Sequence, residues 1–421
     1  MIKAPRGTKD VLPHEAYKWQ YVEKILREIC EKFQYKEIRT PTFEHTELFE
    51  RGVGETTDIV QKEMYTFLDR GGRSITLKPE GTAPAVRALI ENNLFSEILP
   101  VKVYYITPVF RYEKPQAGRL REHHQFGVEV FGAKDASMDA EVISLAMTVF
   151  RTFGIKDLEL RINSIGCPKC RREYNIKLRE YLEAKVERLC ETCKDRFGKN
   201  PMRIIDCKNE DCKKELVDIP LILDYICEEC REHFEKLKSN LEALGLEYIM
   251  DPRIVRGLDY YNKTAFEIVS YDIGSQSTVC GGGRYDGLVE ECGGPSIPGV
   301  GFGMGIERLL LTMENQGIIL PEPQGLEVFV ASIGERADIE AVKLLFKLRN
   351  SGISADKDYI GRSLKGQMRY ADKLNTKLVV ILGEDEIREG KAVVKDMKSG
   401  EQNTIDLVDL MDFLMGKLGR R

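Results

Sequence analysis

The sequence predicts an α+β domain that carries a helical, cysteine-rich insertion and is followed by an α/β domain with a mostly parallel sheet. Three observations predict it. Strand-like pairs mix with helical stretches over residues 1–325. A highly charged, helical stretch from about 166 to 250 interrupts them and holds eight of the eleven cysteines. After PEPQG at 321–325, a linker with two prolines and a glycine, strand and helix alternate to the end, as in compact α/β domains.

The 421 residues are enough for two or three domains, each with its own core. With 42% hydrophobic and 31% charged residues the composition is that of a soluble globular protein. No apolar run is long enough to span a membrane, and MIKAPRGTKD lacks the apolar middle of a secretory signal, so a cytoplasmic location is expected. A net charge of −5 neither advertises nor excludes nucleic acid, because a phosphate-binding footprint is local. In such a compartment paired cysteines serve metal or redox chemistry rather than disulfides.

In chain order, residues 14–34 predict an amphipathic helix with Tyr17, Tyr21, Ile25, Ile29 and Phe33 on one stripe. A short strand, YKEIRTP, ends at Pro41, and TELFERGVGETTD reads as a helix end and glycine-punctuated loop. MYTFLDRGGRSITLKPE reads as a hairpin turning at Asp69–Arg73. In KPEGTAPAVRALIENN, Thr82 is placed to cap a helix with Pro84 early in it. Glu80, Gly81 and Thr82 thus lie at a strand-to-helix junction, where ligands are commonly met.

Residues 101–132 predict two antiparallel strands joined by a long basic loop holding Pro115 and Gly118. Alternation puts Gln125, Gly127, Glu129 and Phe131 on one face and His124, Phe126, Val128 and Val130 on the other, the better core face. The first face suits the floor of a small-molecule site, with Gly127 leaving room between amide and carboxylate. Arg111 ends the first strand; Arg119 and Arg121 follow in the loop. A helix and the strand LELRINS come next, and residues 253–290 add a strand set closed by a triple-glycine turn. In GVGFGMG, 299–305, glycine at every second position strips one strand face, leaving space for a flat group such as a purine. The spacing is not that of a dinucleotide loop, and no G-x-x-x-x-G-K-[ST] is present. A solvated hairpin face, a plain capped helix and close backbone packing are the competing readings of these features. Beyond 325 there is no catalytic cluster, which points to binding.

Six stretches in this order, PRGTKD, TLKPEGT, FRYEKPQAGR with HHQFGVEVFG, RGLDYYNKTAFEIV, GGGRYDGLVE and GVGFGMGIERLLL, resemble histidyl-tRNA synthetase, a class II aminoacyl-tRNA synthetase family. RGLDYY and GGRYDG are particular to the histidine-specific branch. The resemblance implies a class II catalytic domain over 1–325, an antiparallel sheet flanked by helices, interrupted by the 166–250 insertion, and an anticodon-binding domain over 326–421. It implies a homodimer that joins L-histidine to ATP as histidyl-adenylate, then transfers histidine to the 3′ end of tRNA(His).

In that reaction the substrate's own carboxylate is the nucleophile, so no enzyme serine or cysteine is needed. Adenylyl transfer depends on positioning and on cancelling charge at phosphate oxygens. By resemblance, Arg111 grips the α-phosphate and the histidine carboxylate, and Arg256 is the catalytic cation at the same phosphate. Arg308 contacts the γ-phosphate, Arg119 and Glu113 place the nucleotide, and Mg²⁺ bridges the phosphates. Glu80, Thr82 and Gln125 match ligands of the α-amino group, with Gly81 beside them; Glu129 matches the acceptor for an imidazole N–H. Tyr261 and Tyr285, with Tyr260, match the walls of the side-chain pocket. Lys114 and Gln116 lie in the loop expected to meet the tRNA acceptor end. His123 and His124 have no step that demands them.

Within the insertion, Cys190, Cys193, Cys227 and Cys230 have the spacing of one four-thiolate zinc site, with Cys167, Cys170, Cys207 and Cys212 as further candidates. Buried free cysteines are the alternative. A rival for the whole chain is a non-catalytic, synthetase-like regulatory subunit of histidine biosynthesis, which is expected to lack RGLDYY and the anticodon module.

Overall fold

The hairpin expected at 101–132 lies inside the main sheet of the first of two compact units, Met1–Pro321 and Glu322–Arg421. The computed structural model describes residues 1–54, 57–207, 209–274 and 277–420; the loop expected after Gly54 lies partly outside them. In chain order the first unit's strands are β1 (Lys36–Glu37), β2 (Phe43–His45), β3 (Tyr65–Leu68), β4 (Ser74–Leu77), β5 (Val101–Phe110) and β6 (Glu122–Phe131). There follow β7 (Leu158–Ser164), β8 (Ile249–Met250), β9 (Asn262–Ser270), β10 (Thr278–Arg284) and β11 (Gly299–Gly305). Eight form one sheet in the order β1-β5-β6-β11-β10-β9-β7-β8, and β2-β4-β3 form a small second sheet. All pairings within the large sheet are antiparallel except those of its two short end strands, β1 and β8.

The alternation in β6 divides the two faces as expected. Phe126, Val128 and Val130 enter a core with Phe266, Val300 and Phe302 from neighbouring strands. Helices Pro13–Lys32, Ala136–Thr152 and Glu228–Ala243 contribute to that core. Full burial of each such side chain contributes about 1.5–3 kcal/mol. The first helix buries Val22, Leu26, Ile29 and Cys30, while Tyr17, Tyr21, Ile25 and Phe33 flank that stripe partly exposed. A tyrosine at a core edge keeps its hydroxyl near water, so the buried stripe is rotated from the expected one.

The triple glycine is not a turn. Gly281, Gly282 and Gly283 lie inside β10, paired with β9 on one side and β11 on the other. A Cβ on Gly282 would lie 2.6 Å from Cβ of Phe302, so close packing of the sheet core demands its absence. Arg284, next along, is fully buried and donates from Nε to the equally buried Asp139 at 3.1 Å. Its Nη1 also donates to the Ala133 carbonyl at 2.9 Å and to Asp286 at 3.1 Å. Buried charges persist when paired and fully hydrogen-bonded in this way. His233 Nε2 approaches the same Asp139 at 3.3 Å, which ties the helix leaving the insertion to the sheet.

The insertion has its own core, built on Tyr174, Leu178, Leu182, Ile204 and Ile222 and including its cysteines. Its last helix, Glu228–Ala243, is shared: Cys230 belongs to that core, whereas Phe234, Leu237 and Leu241 belong to the core of the large sheet.

The second unit holds β12 (Val328–Ile333), β13 (Ala355–Lys357), β14 (Leu378–Gly383), β15 (Lys391–Asp396) and β16 (Gln402–Asp406) in the order β13-β12-β14-β15-β16. The sheet is mixed rather than mostly parallel. β13, β12 and β14 are parallel, but β15 and β16 run antiparallel to their neighbours. The connection from β14 to β15 is a short helix, Glu384–Glu389, ended by Gly390 at φ 70°. A parallel crossover needs roughly ten or more residues, so this connection returns the chain alongside β14.

Candidate active site

Glu129 anchors the sheet face opposite the helix-covered core. It is 1% exposed, and Oε1 accepts from Thr82 Oγ1 at 2.8 Å and Tyr105 OH at 2.9 Å. Oε2 accepts from Tyr285 OH. Burial pushes its carboxyl up to about 8, against the pull of these hydroxyls. Tyr105 was not singled out in the sequence, yet its register could have found it, since it pairs directly with Gly127. A Cβ on Gly127 would overlap the Tyr105 ring, and one on Gly81 would lie 2.7 Å from its hydroxyl oxygen. The room left by Gly127 is therefore filled by Tyr105 rather than by a ligand.

The junction after β4 differs from the expected cap. The Glu80 carboxylate receives the N–H groups of Thr82 and Ala83, both at 2.7 Å, at the start of helix Thr82–Glu91. This frees the Thr82 hydroxyl for Glu129. Burial raises the Glu80 carboxyl, while those two amides favour its charged form.

The alternate glycines of β11 face the same groups. Cβ atoms on Gly299, Gly301 and Gly303 would collide with Tyr285, Glu129 and the Gln125 amide respectively. At Gly305 the nearest atom, on Arg308, is 3.8 Å away. Three of the four bare positions thus accommodate the protein's own side chains, and open space for a ligand begins at the Gly305 end.

An open cavity of about 290 Å³ occupies that face. Glu80, Thr82, Gln125, Arg256, Tyr260 and Tyr261 line it. Arg111, Glu113, Arg119 and Arg308 line it too, whereas the buried Glu129 and Tyr285 do not. Tyr260, Tyr261 and Tyr285 pack as a group with ring centroids 4.6–6.2 Å apart. Four buried polar atoms of the cavity lining, His123 Nδ1, Gln125 Oε1, Arg256 Nε and Tyr260 OH, have no hydrogen-bond partner among the described residues. Left unpaired, each costs about 1–3 kcal/mol, which a bound polar ligand would remove.

Arg256 is held from two sides. Nη1 donates to Glu267 at 2.9 Å, and the guanidinium lies 5.1 Å from the Tyr261 ring centroid. Nε is buried and has no partner among the described residues. Glu267, absent from the sequence reading, also accepts from Thr278 Oγ1 at 3.0 Å. Arg111 donates from Nε to the Pro79 carbonyl at 2.8 Å. Arg308 donates to the carbonyls of Gly118 at 3.0 Å and Thr278 at 2.5 Å. Burial lowers the Arg308 guanidinium, and Arg119 and Arg111 lower it further. Burial and Arg111 likewise lower Arg119, which pairs with Glu113. Cations gathered at this mutual cost are relieved by negative charge, so the cluster is chemically suited to a polyanion.

His123 lines the cavity, but burial and the neighbouring Arg111 and Arg308 hold its ring down to about 3, so it stays neutral. His124 is engaged: Glu307 accepts from its backbone N–H at 2.9 Å and meets Nδ1 at 3.0 Å. Lys114 and Gln116 are exposed in the loop; Gln116 lines a neighbouring hollow with Trp19 and His124.

The cysteines correct the expected grouping. Cys190, Cys193, Cys227 and Cys230 do not come together. Cys227 and Cys230 meet Cys167 and Cys170, whereas Cys190 and Cys193 meet Cys207 and Cys212. The spacing of two C-x-x-C pairs cannot tell which pairs the fold will bring together.

An antiparallel sheet with this arginine-rich cavity on one face defines the catalytic domain of a class II aminoacyl-tRNA synthetase. Residues 7–190 and 210–309 match the family described as histidyl-tRNA synthetase, and residues 327–417 match an anticodon binding domain. The chain is 64% identical over 409 residues to a histidine–tRNA ligase of Caldanaerobacter subterraneus subsp. tengcongensis, covering 97% of this chain and 98% of that one. It is 57% identical over 419 residues to that of Clostridioides difficile, covering 99% and 100%. The crystal structure of apo S. aureus histidyl-tRNA synthetase superposes with a TM-score of 0.83 at 44% identity, covering 98% and 100%. The chain belongs to the histidyl-tRNA synthetase family.

Proposed function

We propose that this cavity is where the chain activates L-histidine with ATP before passing it to tRNA(His). The activity is that of a histidine–tRNA ligase. The observation that carries the site assignment is the cavity in which Arg256 meets Glu80, Gln125, Tyr260 and Tyr261 together with Arg111, Arg119 and Arg308.

In this reading the imidazole enters the pocket walled by Tyr260, Tyr261 and Tyr285, and an N–H donates to Glu129. The α-ammonium donates to Gln125 Oε1 and to the Glu80 and Thr82 oxygens beside Gly81. These contacts leave the carboxylate facing Arg111 and Arg256. Arg111 and Arg256 hold the α-phosphate against it, Arg119 and Glu113 place the nucleotide, and Arg308 takes the γ-phosphate. The histidine carboxylate oxygen attacks the α-phosphorus, the bond to the bridging oxygen breaks, and pyrophosphate leaves with the electron pair. Fixed guanidinium groups cancel the growing charge without rearranging in the transition state. Mg²⁺ would neutralise phosphate charge; the carboxylates that line the cavity and would supply oxygen ligands are Glu80, Glu113 and Glu307. In this reading Lys114 and Gln116, exposed at the loop, meet the acceptor end of the tRNA.

The chain works in this reading as a cytoplasmic homodimer. Among the described residues no helix is long and apolar enough to cross a membrane. The exposed Phe43, Phe67 and Leu68 on the small sheet supply apolar surface for a second copy. Histidine-dependent exchange of pyrophosphate into ATP tests the reading. Exchange with histidine and none without it is expected; its absence in both would sink the activation step and favour the regulatory-subunit alternative.

A further inference from the structure

The eight cysteines of the insertion gather in two groups of four, and within each group all four Sγ atoms lie within 4.8 Å of one another. In the first, Cys167 lies 3.5 Å from Cys170 and 4.0 Å from Cys227, and Cys170 lies 3.9 Å from Cys230. In the second, Cys190 lies 3.9 Å from Cys207. A tetrahedral ion with bonds of about 2.3 Å to sulfur has sulfur–sulfur edges of about 3.8 Å. Disulfide sulfurs stand about 2.05 Å apart, and all eight cysteines are unbridged. Cysteines that merely fill a core pack against carbon and have no reason to assemble sulfur to sulfur in fours.

The surroundings suit thiolates. Cys167, Cys190 and Cys227 each stand immediately before a helix, Pro168–Glu183, Glu191–Lys199 and Glu228–Ala243 respectively. A helix N-terminus favours the anionic form of a sulfur there. The backbone N–H of Cys227 donates to Cys170 Sγ at 3.1 Å, and that of Cys190 to Cys212 Sγ at 3.2 Å. Such amide bonds to sulfur tune structural metal sites. Four protein ligands leave no open position for substrate, so neither group is a catalytic centre.

We propose that the insertion holds two structural Zn²⁺ ions, one in each group, with the displaced thiol protons released to solvent. The first clamps the root. Cys167 and Cys170 follow β7, and Cys227 and Cys230 open the helix that returns to the core of the large sheet, so the ion joins the strands of chain that leave and re-enter the catalytic domain. Arg171, beside Cys170, donates to the Asp259 carbonyl at 3.3 Å, within the segment that carries Arg256, Tyr260 and Tyr261. The second ion closes the middle of the insertion, between Cys190 and Cys212. From there Asn200 donates to Asp259 Oδ1 at 2.9 Å, and Arg196 and Arg203 each reach Asp58 Oδ2 at 3.1 Å.

The test is elemental analysis of the full-length chain purified without chelator, with two zinc ions per chain expected. Cys170→Ser with Cys230→Ser, and separately Cys193→Ser with Cys212→Ser, should each leave one. Should either variant fail to fold, reconstitution of the unmodified chain with Co²⁺ decides: two equivalents should give the visible bands of tetrahedral tetrathiolate cobalt. One ion or none per chain, an iron–sulfur absorption spectrum, or cobalt saturation at one equivalent would overturn the proposal.

Discussion

Arg256 occupies the place that a side chain at Gly281 would take: a Cβ added there would lie 2.8 Å from Nη2 of the guanidinium and 2.9 Å from Cζ. The strand is bare at this point so that the arginine can lie across it. Gly281→Ala should displace Arg256 and lower the turnover of histidine-dependent pyrophosphate exchange by about 10²-fold or more, a typical loss for one electrostatic contact to the transition state. Arg256→Ala should do the same with the fold intact by circular dichroism. Because both act on one group, the double variant should be no slower than Arg256→Ala alone. Multiplied losses in the double variant would show that Gly281 acts elsewhere.

The Gln125 amide depends similarly on Gly303, where a Cβ would overlap it. Gly303→Ala should raise KM for histidine by about tenfold or more, since one misplaced buried hydrogen bond costs about 1–3 kcal/mol. KM for ATP should change far less. Steady-state exchange over a grid of both substrates separates the two effects, and an equal rise in both would place Gln125 outside the histidine pocket.

Tyr105→Phe keeps the ring that fills the space over Gly81 and Gly127 and removes only the hydroxyl bonded to Glu129. A net loss of about 1 kcal/mol corresponds to a fivefold rise in KM for histidine. Thermal unfolding should shift little. A KM within twofold of the parent would show that Thr82 and Tyr285 alone hold the carboxylate.

Much of this arrangement was readable in the sequence. The alternation of β6 correctly divided Gln125 and Glu129 from Phe126, Val128 and Val130, because a strand's side chains must alternate. The arginines could be given roles from motif resemblance, and the cavity brings Arg111, Arg119, Arg256 and Arg308 together. What could not be read depends on which side chain fills which gap. Gly127 was legible as a vacancy, but its occupant Tyr105 comes from the adjoining strand. The glycines of β11 were legible as a bare face, but they accommodate Tyr285, Glu129 and Gln125 before any purine. Thr82 has the composition of a cap, and only the position of Glu80 shows that the carboxylate takes that task. The cysteine partners and the turn back of β15 are likewise settled by chain path, which local composition does not encode.

Glu129 gives a pH signature of its own. Burial raises its carboxyl to about 8 in the folded protein, above the unfolded range near 4.3. The sign follows from linkage: the folded state favours the protonated form, so this stabilisation is complete below about pH 4.3 and is lost as pH rises through 8. Glu129→Gln keeps the shape and removes the titration. Its stability relative to the parent should therefore increase between pH 6 and pH 9, measured by urea unfolding at each pH. Above pH 8, where Glu129 is ionised, histidine-dependent exchange should also fall in the same variant, because a neutral amide is a weaker acceptor for the imidazole N–H than a carboxylate. A stability difference that stays constant over that range would mean Glu129 is already ionised in the folded protein at pH 6, with Tyr105, Thr82 and Tyr285 outweighing its burial.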